Sequence, residues 1–97
     1  MAQASSEQAA GAAAVLVTLP DCVDLHARPA ADFVRTAMGF SAAIQVAANG
    51  REANAKSLLT VLALGAKGGT AVEVEVSGDG AAETADTIAG LLAGLSE

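Results

Sequence analysis

The chain contains one histidine, His26, and it stands where an imidazole could do chemistry. It directly precedes Ala27-Arg28-Pro29, and the apolar residues Ala30, Phe33, Val34 and Ala37 then recur at the spacing of one helical face. Pro29 suits the first turn of such a helix, where a missing N–H costs little. His26 is therefore expected at the helix N-cap. Free backbone N–H groups and the positive end of the helix dipole make that position an anion site. Arg28 adds a guanidinium whose fork matches phosphate oxygens. One short segment thus holds a nucleophilic imidazole, phosphate-ready amides and a charged clamp, the parts needed to carry a phosphoryl group on a ring nitrogen. Leu25 can pack against Ala30 as a hydrophobic staple that fixes the entry of the loop.

Other reactive side chains lie nearby. Cys22 is four residues before His26. A Cys–His nucleophilic pair needs a third group to orient the imidazole, and none is evident, so Cys22 reads as a bystander. Asp24 reads as a solvated loop acid. Ser57 can cap a short helix running from Leu58 to Leu64 and ended by Gly65. That helix is too apolar to bury every side. Leu58, Leu59, Leu62 and Leu64 are either core or, in part, an exposed docking patch. Arg28 and Arg35 are seven residues apart and share a helix face. With Lys56 they form either a basic rim that speeds encounter with acidic partners or ordinary surface charge.

These groups must be positioned by a small domain. The 97 residues allow one, with a core of Val, Leu, Ile and Ala, because 53% of the chain is hydrophobic but only 2% aromatic. A formal net charge of −6 argues against nucleic acid or an anionic membrane as the main partner. Apolar runs fall short of the roughly 20 residues a membrane span needs. The single Cys excludes an internal disulfide and a Cys-based zinc site, and fits a reducing, cytoplasmic location. Met1 to Ala14 lacks the Lys or Arg of a secretory n-region.

Residues 1–13 are expected to be a disordered tail, and 14–97 the domain. Strands are expected at Val15–Leu19, Ala43–Ala48, Arg51–Asn54 and Val72–Val76. Asn49-Gly50 joins the middle two as a hairpin in which both turn residues take φ > 0. Val72, Val74 and Val76 alternate with Glu73 and Glu75, which leaves one wet face. A last helix, Ala81 to Leu95, carries Ala85, Ile88, Leu92 and Leu95 on one stripe. The order is β-α-β-β-α-β-α. The consistent solution is an α+β open-faced sandwich: a four-stranded antiparallel sheet with three helices on one face.

Leu25-His26-Ala27-Arg28-Pro29-Ala30-Ala31 resembles the phosphorylation-site signature of the HPr family, the histidine phosphocarriers of the bacterial phosphotransferase system. A second segment, Ala55-Lys56-Ser57-Leu58-Leu59-Thr60-Val61-Leu62-Ala63-Leu64-Gly65, resembles the family's segment around its regulatory serine. The resemblance runs from about Val15 to Glu97. It implies that His26 accepts phosphate on Nδ1 from phosphorylated enzyme I and passes it to the A domain of a sugar-specific enzyme II. It implies that Arg28 steadies the phosphoryl oxygens. Ser57 would match the serine modified in some bacteria by a dedicated ATP-dependent kinase and reversed by its phosphorylase. Arg35, Lys56, Leu58, Leu59 and Leu62 would meet the partners. Such a carrier is a monomeric relay without turnover, metal or cofactor of its own. A carrier in a non-sugar phosphorelay (nitrogen-related or dihydroxyacetone kinase) and a regulatory module controlled at Ser57 are the alternatives. The chain departs from the family at Asp24, where Gly usually precedes the Leu-His pair. A carboxylate there opposes the phosphate charge.

Overall fold

In the computed structural model, which describes residues 11–95, four strands and three helices follow the expected order. They are β1 (Ala12–Thr18), α1 (Ala27–Met38), β2 (Ala43–Ala48), β3 (Arg51–Asn54), α2 (Leu58–Ala63), β4 (Ala71–Ser77) and α3 (Ala81–Ala93). The sheet order is β1-β4-β2-β3, with every neighbouring pair antiparallel. Period-2 alternation decides its two faces. Val72, Val74 and Val76 of β4 and Ile44, Val46 and Ala48 of β2 point into the core, while Glu73, Glu75 and Gln45 face outward. The helices cover the inward face, so the other face stays open, as an open-faced sandwich requires.

The apolar stripes of α1 and α3 fall where their 3.6-residue periods put them. Pro29, Ala30, Phe33, Val34 and Ala37 are buried on α1, and Ala81, Ala85, Ile88 and Leu92 on α3. Phe33 is the largest fully buried side chain. Asn49 (φ 56°) and Gly50 (φ 76°) make the left-handed turn the hairpin needs.

Boundaries differ at several ends: β4 gains Ala71 and Ser77, and α2 stops at Ala63, one residue short of Leu64. β1 starts at Ala12, so Ala12 and Ala13 of the expected tail are strand, paired with Ser77 and Val76 of β4. Alanine carries little strand signal, and ladder pairing overrides it. Gly11 of that tail is exposed, and its carbonyl accepts from Gly78 N (2.9 Å), while residues 1–10 lie outside the described residues. Leu19 leaves the ladder but stays buried, because its N–H donates to Thr70 O (3.0 Å) and its carbonyl accepts from Gly69 N (3.1 Å). α3 ends at Ala93, and Leu95 is buried beyond the helix.

Candidate functional site

The segment before α1 and the segment before β4 hold each other in place. Leu25 N donates to Ala66 O (2.8 Å), and Gly68 N donates to Asp24 Oδ1 (2.9 Å). Together with the Leu19–Thr70 and Gly69–Leu19 bonds, these tie residues 19–25 to residues 66–70 across long stretches of sequence. Gly68 is required by closeness: a Cβ there would lie 2.1 Å from Asp21 O and 2.9 Å from Pro20 O, both backbone atoms. Val23 and Leu25 anchor the loop into the core from beneath. His26 is thereby lifted off a fixed base, with both flanks defined.

His26 occupies the N-cap of α1 in extended conformation (φ −145°, ψ 160°), and its side chain makes no capping hydrogen bond. The imidazole is exposed. An aromatic nucleophile spared from capping keeps its ring lone pair for an incoming group. Ala27 follows in the left-handed region, with φ 47°. For a residue with a Cβ that costs on the order of 1 kcal/mol, and strain of this kind persists where neighbours over-determine the backbone. Here buried Leu25 on one side and buried Pro29 and Ala30 on the other do so.

His26 lines two hollows. One, of about 270 Å³, is lined by Asp24, His26, Ala27, Arg28 and Pro29. The other, of about 220 Å³, is lined by Asp24, Leu25, His26, Leu62, Gly65, Ala66 and Lys67. His26 and Arg28 thus come together as expected from the sequence, and Leu62 of α2 joins them. Arg35 does not line either hollow. Its Nη1 donates to Asp32 Oδ1 (3.0 Å) in an exposed pair farther along α1. Lys56 lines neither as well: its Nζ donates to Phe40 O, next to a separate hollow between β2 and β3. The concentrated basic rim of Arg28, Arg35 and Lys56 therefore resolves into one cation at the imidazole and two engaged elsewhere.

α2 carries its apolar excess outward. Val61 and Leu64 are buried, Leu62 is half-buried, Leu58 is 39% exposed and Leu59 80% exposed. Its C-terminal end is held from the β2–β3 hairpin, where Asn49 Nδ2 donates to Leu64 O (3.0 Å) and Arg51 Nη1 to Ala63 O (3.0 Å). Ser57 sits at its N-cap, but its hydroxyl makes no capping bond. The expected side-chain cap is absent; the first turn is instead tied back by the Thr60 hydroxyl, which lies within donating distance of Ser57 O (3.0 Å) and Asn54 O (3.1 Å). The half-buried Ser57 hydroxyl is left unengaged.

Lys67 is the residue that sequence reasoning missed. Nothing in local spacing links it to His26. Only the Leu25–Ala66 hydrogen bond, which stands one residue before each of them, brings it to the same hollow. Asp24 is also better defined than a solvated acid, since its carboxylate clasps the opposite loop through Gly68.

Comparison with known proteins gives the family and the fold. Residues 13–94 match the family model PTS-HPr, described as the PTS HPr component phosphorylation site. The phosphocarrier protein HPr of Vibrio cholerae is 43% identical over 68 residues, 70% of this chain and 80% of that protein. HPr of Streptomyces coelicolor is 43% identical over 75 residues, 75% of this chain and 81% of that protein. Among solved structures, a phosphocarrier protein HPr from Bacillus anthracis superposes with a TM-score of 0.79 at 30% identity, covering 84% of this chain and 96% of its own.

Proposed function

The chain belongs to the HPr family of phosphotransferase-system phosphocarriers, and from that premise we propose that His26 is the phosphoryl-bearing residue of the relay, fed by phosphorylated enzyme I and emptied by the A domain of a sugar-specific enzyme II. The observation that carries this is the exposed, uncapped imidazole at the start of α1, with Arg28 on the hollow beside it. In the loading step the Nδ1 lone pair forms a new N–P bond while the donor's N–P bond breaks. The reverse displacement by an acceptor empties the carrier. Phosphoryl transfer of this kind depends on positioning and charge stabilisation more than on covalent chemistry by the protein. The interlocked loops supply the first, and Arg28 the second through a two-pronged hydrogen bond to phosphoryl oxygens.

Leu58 and Leu59, exposed on α2, give both partners a small apolar contact suited to transient complexes. The unengaged Ser57 hydroxyl adjoins that contact, which supports its use as a modification site for a dedicated kinase. Such partners work in the cytoplasm, and among the described residues no helix is long and apolar enough to cross a membrane. The test is incubation with phosphoenolpyruvate and enzyme I, followed by intact mass. One phosphoryl group should be added, acid-labile and base-stable as a phosphoramidate is. His26→Ala should abolish it, and an adduct that survives in that variant refutes the site.

A further inference from the structure

Resting on the assignment of the phosphoryl group to His26, we propose that Lys67 is a second cationic ligand of that group, beside Arg28, and offsets the carboxylate that this chain carries at Asp24. Three observations converge on it. Lys67 lines the hollow of about 220 Å³ and Arg28 the hollow of about 270 Å³, and His26 and Asp24 line both. That space far exceeds the ~10–15 Å³ that one water needs, so a tetrahedral anion can enter beside the ring. The base of Lys67 is fixed, since Ala66 O accepts from Leu25 N (2.8 Å) and Lys67 N donates to Thr70 Oγ1 (3.1 Å). Its ammonium, by contrast, forms no ion pair with any described residue. Asp24, the carboxylate that lines the same hollow, has Oδ1 committed to Gly68 N.

Charge decides the role. A phosphoryl group on His26 brings close to two negative charges to a site where Asp24 already contributes one. Arg28 alone leaves that anion undercompensated. Lys67 is a compact cation with three donors on a four-carbon stem, able to reach a neighbouring oxygen without moving its backbone. It donates hydrogen bonds and keeps its protons. No bond forms to it, so the exchange of the N–P bond is unchanged. Its contribution is to hold the dianionic form of the loaded carrier.

The experiment compares the full-length chain with Lys67→Gln and Lys67→Arg, each loaded with phosphoenolpyruvate and enzyme I. The second ionisation of the bound phosphoryl group is followed by ³¹P NMR. Loss of an exposed cation should make that ionisation about two- to five-fold less favourable in Lys67→Gln, a rise of roughly 0.3–0.7 pH unit in its midpoint. Lys67→Arg should restore the wild-type midpoint, and added salt should shrink the difference. Thermal midpoints of the unloaded chains should coincide, because Lys67 is exposed. A Lys67→Gln midpoint equal to wild type overturns the role of Lys67 while leaving His26 in place. A wild-type chain that takes up no phosphate overturns the assignment of His26, and Lys67 with it.

Discussion

Gly68→Ala tests whether the clasp between the two loops, rather than α1 alone, positions His26. The added Cβ would meet Asp21 O at 2.1 Å, Asp21 C at 2.6 Å and Pro20 O at 2.9 Å. All three are backbone atoms, so no side-chain rotation relieves the clash. The loops must part, which strains the Gly68–Asp24 and Leu25–Ala66 hydrogen bonds. Overpacking of this kind costs about 2–3 kcal/mol. At about 4–8 °C per kcal/mol for a domain of this size, the thermal midpoint should fall by roughly 8–24 °C. Gly50→Ala is the matched control. Gly50 needs its left-handed φ of 76°, but nothing lies within 4 Å of the place a Cβ would take. It should lose about 1 kcal/mol, or ~4–8 °C, by conformational strain alone. Calorimetry gives both midpoints, and phosphorylation by enzyme I is then timed well below them. Gly68→Ala should load slowly while still folded, whereas Gly50→Ala, in the β2–β3 hairpin, should load at the wild-type rate. If Gly68→Ala melts no lower than Gly50→Ala and loads normally, the clasp does not position the imidazole.

Arg28→Ala should leave the thermal midpoint nearly unchanged, because the side chain is exposed, while loading slows on the order of tenfold through loss of a charge-assisted hydrogen bond; stopped-flow or rapid-quench phosphorylation reads the rate. Asp24→Asn keeps an Oδ1 acceptor for the Gly68 N–H and removes only the charge, so it should melt near wild type and load faster; equal loading rates would mean the carboxylate's charge is not felt at His26. Ser57→Asp should fold normally, since the hydroxyl it replaces makes no capping bond, but accept phosphate more slowly because a charge now sits beside Leu58 and Leu59. Wild-type values for both its midpoint and its rate would remove Ser57 as a regulatory site.

The features legible in the sequence are those whose cause is local. The helical stripe of α1, the alternation of Val72 to Val76 and the Asn49-Gly50 turn each follow from backbone periodicity or dihedral limits within a few residues. The helices cannot bury their stripes except against one face of the sheet, so the architecture followed from the same patterns. His26 and Arg28 were visible together because they lie two residues apart at a helix start. What only the tertiary structure decided are the contacts that close over long separations. Lys67 reaches the imidazole's hollow through a hydrogen bond between Leu25 and Ala66, and Asp24 is turned onto Gly68. Lys56 goes to the Phe40 carbonyl, and Arg51 and Asn49 take the end of α2. Each of these pairs a side chain or amide with a backbone group, and backbone groups are the same at every residue. Composition and spacing therefore hold no record of which carbonyl or amide will be the partner; folding supplies it by bringing one unsatisfied group within reach of another.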